Sequence, residues 1–391
     1  MAPGQGAQAP GFLAPWLELP GVTEPLGFWS ELVGCDLITA GTTADADQIR
    51  HTAVAQPLLV AAGLVAAAAL DDGDPRKLPA DAAAGHSVGE LTAGVIAGVL
   101  SADNAMRLVG VRGIAMAAAT EAEATGMTAV LGGDEAVVLE AIARHGLTPA
   151  NINGAGQIVA AGTLAQLAAF AAEPPTGARL RNLQVAGAFH TSHMSPAIAD
   201  LRAAARFVEV RDPVTTLLSN SDGAAVTTGK EWLERIICQV AAPVRWDSCM
   251  ATMRALGVTA IIELPPAGTL TGLAKRALPG TELLAVKTPD QIGAARELIE
   301  AHLTEPAPGS HGHLPEWRLI VAPASGTFRT SKATSGTATS GTGELGTVVA
   351  RGGERTVTAP WPAEIIEWLA EDGDPVSEGQ PLVRVQPGEG A

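Results

Sequence analysis

A pentapeptide of the form G-x-S-x-G at residues 85–89 is the clearest catalytic signal in the chain. Small residues (82–84) precede it, and a stretch compatible with a helix (90–100) follows. A sharp turn from strand to helix would lift Ser87 out of the backbone, and the flanking glycines would avoid clashes in that turn. The start of the helix would offer N–H groups to a developing oxyanion. The pattern therefore predicts a nucleophilic serine.

A serine nucleophile needs a base, and the sequence offers several histidines. Those considered are His51, His86, His145, His190, His193 and His302. His190 follows a strand-like run and precedes a helical one, a usual place for a catalytic group in an α/β protein. His86 adjoins the serine, but on a tight turn its side chain must point elsewhere, which favours a packing or hydrogen-bonding role. Because the chain has 44 glycines, a chance match in a turn without chemistry stays an alternative.

Composition limits the class of protein that can carry this site. With 391 residues, 47% of them hydrophobic, the chain can form two or three domains with sizeable cores. A net charge of −16 argues against nucleic acid or an anionic membrane as a partner. The most apolar stretch (58–70) is shorter than the ~20 residues of a membrane span, so we expect a buried helix.

The cysteines and the N-terminal segment bear on the compartment. Three cysteines without metal-like spacing predict neither a disulfide framework nor a metal site. The sequence also shows no basic segment followed by an apolar one, as a secretory leader would. We therefore expect a cytoplasmic protein.

The chain divides into regions of different rhythm. Residues 1–303 alternate short apolar runs with alanine-rich helical stretches, which predicts an α/β fold with a largely parallel sheet. Residues 122–186 predict an inserted strand–helix–strand–helix–strand lobe, ferredoxin-like in order. Residues 304–316 form a Pro/Gly/His linker in which His311 and His313 are expected to be solvated.

The last region, 317–388, predicts a small all-β module with two similar halves. A Ser/Thr/Gly tract (330–342) separates the halves and is predicted to be a loop.

Eight motifs follow one another in order. They are PGQGAQ (3–8), TAVAQP (52–57), GHSVGE (85–90), VRG (111–113), ANINGAGQIVAAG (150–162), GAFHTSHM (187–194), PVRW (243–246) and GTLTGLAKR (268–276). By these motifs, residues 2–300 resemble the malonyl-CoA:acyl carrier protein transacylase family and the acyltransferase domains of polyketide synthases. The resemblance implies an α/β-hydrolase-like lobe with a ferredoxin-like insert. It also implies ping-pong transfer of malonyl from coenzyme A to a carrier protein, for fatty acid or polyketide synthesis, with no cofactor.

The resemblance also implies catalytic roles. Ser87 matches the nucleophile and His190 the general base and acid, while the backbone N–H groups of Gln5 and Val88 match the oxyanion hole. A backbone carbonyl just before the P-V-x-W motif orients the imidazole in the family, and this chain has Ala242 there.

Several residues match the substrate pocket of the family. Arg112 matches the arginine that binds the free carboxylate of malonate, for which a planar guanidinium is suited. Without the resemblance, an arginine in the middle of a helix would be placed on the surface. Phe189 would crowd the α-methyl group of methylmalonate, which favours malonyl. The remaining pocket matches, which could equally be structural amides, are Gln56, Asn153 and Gln157.

The implied partner is an acidic carrier protein, which a local basic patch at Lys275 and Arg276 could attract; Arg179 and Arg181 are a second candidate. We expect a monomer. Two other functions stay open: a G-x-S-x-G thioesterase or hydrolase, and a non-catalytic scaffold built on the C-terminal module.

The sequence departs from the family at both ends. A hydrophobic strand precedes P-G-Q-G in the family, whereas only Met1 and Ala2 precede it here, so we expect the natural start to lie upstream. The C-terminal module resembles biotinyl/lipoyl domains. Its hairpin (348–357) has no lysine to modify, and Lys332 lies in the Ser/Thr/Gly tract, so neither biotin nor lipoate is expected.

Overall fold

The computed structural model describes residues 1–71, 73–302, 318–331, 338–339, 344–350, 352–359 and 362–387. The chain divides into two compact units, Met1–Leu303 and Thr304–Ala391. The predicted linker, with His311 and His313, and also Lys332 lie outside the described residues.

The first unit alternates helices and strands. Its described helices are α1 (Thr23–Val33), α2 (Leu37–Thr42), α3 (Thr52–Leu70), α4 (Gly89–Ile96), α5 (Ala102–Glu121), α6 (Glu135–Arg144), α7 (Leu164–Ala172), α8 (Ala197–Ala205), α9 (Gly229–Gln239), α10 (Trp246–Ala255), α11 (Thr269–Ala277) and α12 (Ile292–His302). Its described strands are β1 (Ala82–Ala83), β2 (Thr125–Gly132), β3 (Thr148–Gly154), β4 (Gln157–Thr163), β5 (Ala178–Asn182), β6 (Thr216–Leu218), β7 (Ala225–Val226), β8 (Val244–Arg245), β9 (Ala260–Glu263) and β10 (Glu282–Ala285). The predicted mixed α/β class is confirmed.

The first unit contains two pairs of short parallel strands. β1 pairs in parallel with β6, and β9 pairs in parallel with β10. The first two residues lie between these pairs: the Ala2 N–H donates to the carbonyl of Ala84, and the Leu264 N–H donates to the carbonyl of Met1. The His86 N–H in turn donates to the carbonyl of Ala2. The segment that enters the P-G-Q-G loop is therefore held against the turn that carries Ser87.

Helix α3 is apolar on all sides, which is typical of a helix inside a core. It has the length and composition to cross a membrane, but 78% of its most apolar 18-residue window is buried within the protein. It packs against α5, the helix that carries Arg112. The prediction of a buried helix at 58–70 is confirmed.

The strands of the insert form one sheet together with β8, which lies outside the insert, in the order β5-β2-β4-β3-β8. Pairings within it are antiparallel, except that β3 and β8 run in parallel. The sequence reading was wrong in omitting β3, whose residues TPANING include several weak strand formers. Pairing with β4 and β8 outweighs that propensity. The insert therefore runs strand–helix–strand–strand–helix–strand.

The second unit is all-β in its described part. Its strands are β11 (Arg318–Val321), β12 (Gly326–Thr330), β13 (Ala338–Thr339), β14 (Glu344–Ala350), β15 (Gly353–Thr358), β16 (Ala363–Trp368), β17 (Pro375–Val376) and β18 (Pro381–Pro387). They form two four-stranded sheets, β11-β18-β16-β13 and β15-β14-β12-β17, around one apolar core. β13 falls inside the tract predicted as a loop (330–342), so that prediction is wrong there; residues 332–337 and 340–342 lie outside the described residues.

Candidate active site

The turn between β1 and α4 holds Ser87 in a left-handed backbone conformation, with φ of 53°. The flanking glycines make this turn possible. A Cβ at Gly85 would lie 2.0 Å from the backbone carbon of Gly89, and one at Gly89 would lie 2.3 Å from the carbonyl oxygen of Ala2. No real Cβ approaches backbone so closely, so both positions require glycine. The G-x-S-x-G spacing thus follows from the contact of this turn with itself and with the N-terminal segment.

Ser87 and His190 are buried together. The Oγ of Ser87 lies 2.8 Å from the Nε2 of His190, and the Nδ1 of His190 lies 2.9 Å from the carbonyl oxygen of Gln239. Because a carbonyl can only accept, Nδ1 carries the hydrogen, and Nε2 faces the serine as an acceptor. The structure thus brings the predicted nucleophile and base into hydrogen-bonding contact.

The carbonyl that orients His190 differs from the one expected. Sequence reasoning pointed to Ala242, but the main partner is Gln239, and the backbone of Ala242 contributes only a lesser hydrogen bond. Helix α9 ends at Gln239, where carbonyls lie beyond the intrahelical ladder and can accept from other groups.

Burial, and next the charge of Arg112, lower the pKa of His190 to about 3, although the backbone carbonyl of Gln239 partly offsets them. The imidazole is therefore neutral at physiological pH and can accept a proton from Ser87. A protonated His190 would be repelled by the positive charge of the nearby Arg112 guanidinium.

Arg112 lies inside the protein, with 1% of its surface exposed, rather than on the surface. Its Nη1 donates to the Oε1 of Gln56 at 2.7 Å. Its Nη2 donates to the Oε1 of Gln239 at 3.1 Å and to the Oγ of Ser87 at 3.2 Å. Within the described part of the chain, its buried Nε has no hydrogen-bond partner. The arginine therefore contacts the nucleophile through Nη2 and keeps one unpartnered N–H at Nε.

The charge of Arg112 persists despite its burial. Burial lowers the pKa of Arg112 to about 10, and the charge of Glu90 partly offsets this. The guanidinium is thus cationic at neutral pH, and an anionic group bound there would gain a strong, charge-assisted contact.

A polar layer beneath these residues was missed by sequence reasoning. It consists of Glu90, Asn220 and the side chain of Gln239, all buried. Asn220 accepts from the Ser87 N–H at 2.7 Å and donates to the carbonyl of Gly85 at 2.8 Å, so it fixes both sides of the turn. The sequence does point to Glu90 as a candidate site residue, since Glu90 is the last residue of the GHSVGE motif. Asn220 and Gln239 belong to none of the eight sequence motifs.

A second cluster contains His86, Asn153 and Gln157. The Nε2 of His86 lies 2.9 Å from the Oδ1 of Asn153, and the Nδ2 of Asn153 donates to the Oε1 of Gln157 at 3.2 Å. The ring of His86 also lies 5.6 Å from that of Trp246. Burial lowers the pKa of His86. The prediction of a packing or hydrogen-bonding role for His86 is confirmed. Asn153 contacts His86, the neighbour of the serine, and Gln157 contacts Asn153; neither has a described contact with Ser87.

The two N–H groups expected to form an oxyanion hole flank the turn. Val88 lies at the start of α4, and the loop of Gln5 rests on the turn, since a Cβ at Gly4 would lie 2.8 Å from the carbonyl oxygen of His86. Among the described residues, no acceptor takes up the N–H of Val88 or of Gln5. The side-chain amide of Gln5 donates to the carbonyl oxygen of Arg50 and to the Oγ1 of Thr52, both at 3.4 Å.

The remaining predicted residues lie in two places. Phe189 is buried next to His190. Lys275 and Arg276 lie in the last turn of α11, and Arg276 lines a surface cleft of about 290 Å³ together with Arg254. The turn between β3 and β4 borders the same cleft. The charged residues that line the cleft are thus two arginines, Arg254 and Arg276, and one aspartate, Asp247.

Comparison with known proteins defines the class first. Residues 30–297 match the family model described as "Acyl transferase domain". The chain is 51% identical over 292 residues to "Malonyl CoA-acyl carrier protein transacylase" of Mycobacterium tuberculosis, covering 75% of this chain and 97% of that relative. It is 32% identical to the protein of the same name from Escherichia coli K12, covering 76% and 97%.

Solved structures agree with these relatives. The "Crystal structure of MCAT from Mycobacterium tuberculosis" matches with a TM-score of 0.73 and 50% identity, over 75% of this chain and 98% of that one. A malonyl-CoA:acyl carrier protein transacylase from Xanthomonas oryzae matches with a TM-score of 0.70 and 33% identity, over 76% and 96%. The chain is thus an acyltransferase by class. It belongs to the malonyl-CoA:acyl carrier protein transacylase family.

Proposed function

We propose that the protein transfers malonyl from malonyl-CoA to the phosphopantetheine thiol of an acyl carrier protein, through an ester on Ser87. The observation that carries this is the position of Arg112, whose Nη2 lies 3.2 Å from the Oγ that itself contacts His190. A buried cation next to an activated serine suits an acyl group that ends in a carboxylate. The names of the curated relatives point to the same substrates.

The first half-reaction forms the ester. His190 Nε2 takes the proton of Ser87 as the Oγ attacks the thioester carbon, and the N–H groups of Val88 and Gln5 receive the oxyanion. Collapse breaks the carbon–sulfur bond, and the thiolate of coenzyme A leaves with the proton from His190. The acyl-enzyme is then a malonyl-serine ester.

The second half-reaction runs in reverse. The phosphopantetheine thiol gives its proton to His190, its sulfur attacks the ester, and the Oγ of Ser87 leaves and recovers the proton. Because one thioester replaces another, the chemistry requires no cofactor, metal or external energy source. We expect none of these, and we expect water to be kept from the ester by a closed cleft.

Substrate choice is proposed to depend on Arg112 and Phe189. The unpartnered Nε of Arg112 and a second N–H could bind the malonyl carboxylate bidentately, with Gln56 holding the other nitrogen. An acetyl group would leave these donors buried and unpaired, which predicts discrimination of roughly a hundredfold or more. The ring of Phe189 would crowd an α-methyl group. Asn153, which contacts His86, and Gln157, which contacts Asn153, would line the pocket with their amide groups.

The direct test combines labelled malonyl-CoA with a purified holo-carrier protein. Transfer of label to the carrier supports the proposal. Release of free malonate without transfer would indicate a thioesterase or hydrolase instead, and no consumption of malonyl-CoA would indicate a non-catalytic scaffold.

Docking of an acidic carrier is proposed at Lys275 and Arg276. Both are exposed, and Arg276 borders the cleft next to the β3–β4 turn, which follows Gly154 at the end of β3. The double charge reversal Lys275→Glu and Arg276→Glu should raise the apparent KM for the carrier but not for malonyl-CoA. The reversal Lys230→Glu, at an exposed position on α9, serves as the control. Equal effects on both substrates would count against docking there.

The second unit is proposed to be a biotinyl/lipoyl-like module that has lost its modification site. Its two four-stranded sheets and the β14–β15 hairpin, with Ala350 opposite Gly353, support this assignment. We expect neither biotin nor lipoate, and a docking or stabilising role. A positive avidin blot of the purified protein would contradict the absence of biotin.

The finer organisation is proposed as an α/β-hydrolase-like lobe, with a ferredoxin-like insert at about 122–186, in a domain of residues 1–303. A linker (304–316) and the module (317–388) follow. The strand order of the insert and the division after Leu303 support these limits. We propose a cytoplasmic monomer that binds neither nucleic acid nor membrane, and light scattering in solution tests the oligomeric state.

A further inference from the structure

Gln239 contacts both partners of the nucleophile through different atoms. Its side-chain Oε1 accepts from the Nη2 of Arg112 at 3.1 Å. Its main-chain carbonyl accepts from the Nδ1 of His190 at 2.9 Å. The direction of its side-chain amide therefore matters, because only the oxygen end can accept from a guanidinium.

Glu90 fixes the direction of that amide. Its Oε2 accepts from the Nε2 of Gln239 at 2.6 Å, and its Oε1 accepts from the N–H of Asn220 at 2.9 Å. The Oδ1 of Asn220 is a second acceptor for the same Nε2, at 3.1 Å. With two acceptors facing its nitrogen, the Gln239 amide presents its oxygen to Arg112.

Glu90 is buried, which opposes ionisation of its carboxyl group. The side chain is 2% exposed, and burial raises the pKa of Glu90 to about 8, although the Asn220 N–H and the charge of Arg112 oppose this. Both neighbours of the carboxyl group donate to it, so these hydrogen bonds favour the ionised carboxylate although burial favours the neutral acid. The main-chain N–H of Glu90 donates to the carbonyl of Ser87, but the described contacts of its carboxyl group include neither Ser87 nor His190. The carboxyl group can therefore act on the two side chains only through other residues.

We propose that Glu90 is a positioning residue, which acts through the amide of Gln239 to hold the guanidinium of Arg112 beside Ser87 for substrates with a free carboxylate. The inference rests on the proposed function, because it gives Glu90 a part in choosing malonyl over acetyl groups. It predicts that the effect of Glu90 on selectivity passes through Gln239.

The substitution Glu90→Gln tests this at constant shape. One acceptor oxygen becomes an NH2 group, so the new amide cannot accept from both Asn220 and Gln239. When it accepts from Asn220, its NH2 faces that of Gln239, and the Gln239 amide must turn its nitrogen towards Arg112. The ratio of kcat/KM for malonyl-CoA to that for acetyl-CoA, measured on formation of the acyl-enzyme, should fall about tenfold, which corresponds to about 1.4 kcal/mol.

Glu263→Gln is a matched control. Glu263 is another fully buried carboxylate of the same unit, but it accepts from the N–H groups of Gly268, Leu270 and Thr271 at the start of α11. A general loss of stability should lower both rates together and leave their ratio unchanged. The melting temperature of each variant is measured alongside.

Gln239→Met provides a second variant, which decides the matter if Glu90→Gln does not fold. It removes the amide but keeps the main-chain carbonyl that orients His190. The selectivity ratio should fall to a similar extent, and the double variant should show no further fall, because the two residues act in series.

Unchanged ratios in Glu90→Gln and Gln239→Met, with the wild type still preferring malonyl, would overturn the inference. So would a double variant whose effects simply add. A wild type without a preference for malonyl would instead contradict the proposed function.

Discussion

The substitution Arg112→Lys tests the link between geometry and selectivity. The guanidinium uses Nη1 for Gln56 and Nη2 for Gln239 and Ser87, and its Nε stays unpartnered among the described residues. A lysine keeps the charge, but its three donors lie at one point and cannot hold both amides while offering two parallel N–H groups to a carboxylate.

The expected loss follows from one charge-assisted hydrogen bond, which is worth ~1.5–3 kcal/mol. That is about a 10- to 150-fold fall in kcat/KM for malonyl-CoA, at roughly 1.4 kcal/mol per factor of ten. Acetyl-CoA has no carboxylate to lose, so its rate should fall much less.

The assay is acylation of the enzyme in a single turnover, stopped by acid and read by intact mass, with each thioester in turn. Arg107→Lys is the control, since Arg107 is exposed on the same helix. If Arg112→Lys changed the acylation rates with malonyl-CoA and acetyl-CoA by the same factor, Arg112 would not be the group that recognises the malonyl carboxylate.

Three further predictions follow from other parts of the first unit. Because burial lowers the pKa of His190 to about 3, the imidazole stays neutral well below pH 6.5. The kcat/KM for acylation by malonyl-CoA should therefore stay level between pH 5 and 8. A fall in kcat/KM centred near pH 6.5 would be inconsistent with a buried base. Gly89→Ala should lower the melting temperature sharply, because the new Cβ would lie 2.3 Å from the carbonyl oxygen of Ala2. The control Gly272→Ala, which has open space around it on α11, should preserve or raise the melting temperature. Equal shifts in the two variants would refute the steric explanation. Cys249 is buried, and burial raises the pKa of its thiol. A thiol reagent should therefore label the half-buried Cys35 and Cys238 of the folded protein first. Rapid labelling of Cys249 would contradict its burial.

Residues that make local structure could be predicted from the sequence. The turn at Ser87 follows from two glycines at fixed spacing, and the buried helix α3 follows from an apolar composition on all sides. The histidine that contacts Ser87 is also predictable, because His190 follows a strand-like run within an ordered set of motifs.

Residues whose roles depend on contacts far apart in sequence could not be predicted in this way. Asn220 reaches Ser87 across 133 positions, and Gln239 reaches Glu90 across 149, while each alone looks like an ordinary surface amide. The burial of Arg112 likewise depends on the helices and amides around it. Strand β3 was missed because its Pro, Asn and Gly residues oppose a strand until neighbouring strands supply the hydrogen bonds.

The most direct test of the proposed mechanism is the intact mass of the protein after incubation with malonyl-CoA. The wild type should gain the mass of one malonyl group and lose it when holo-carrier protein is added. Ser87→Ala should gain nothing, because the ester would have no oxygen to form on. A Ser87→Ala protein that still acquires one malonyl group would contradict the assignment of Ser87 as the nucleophile.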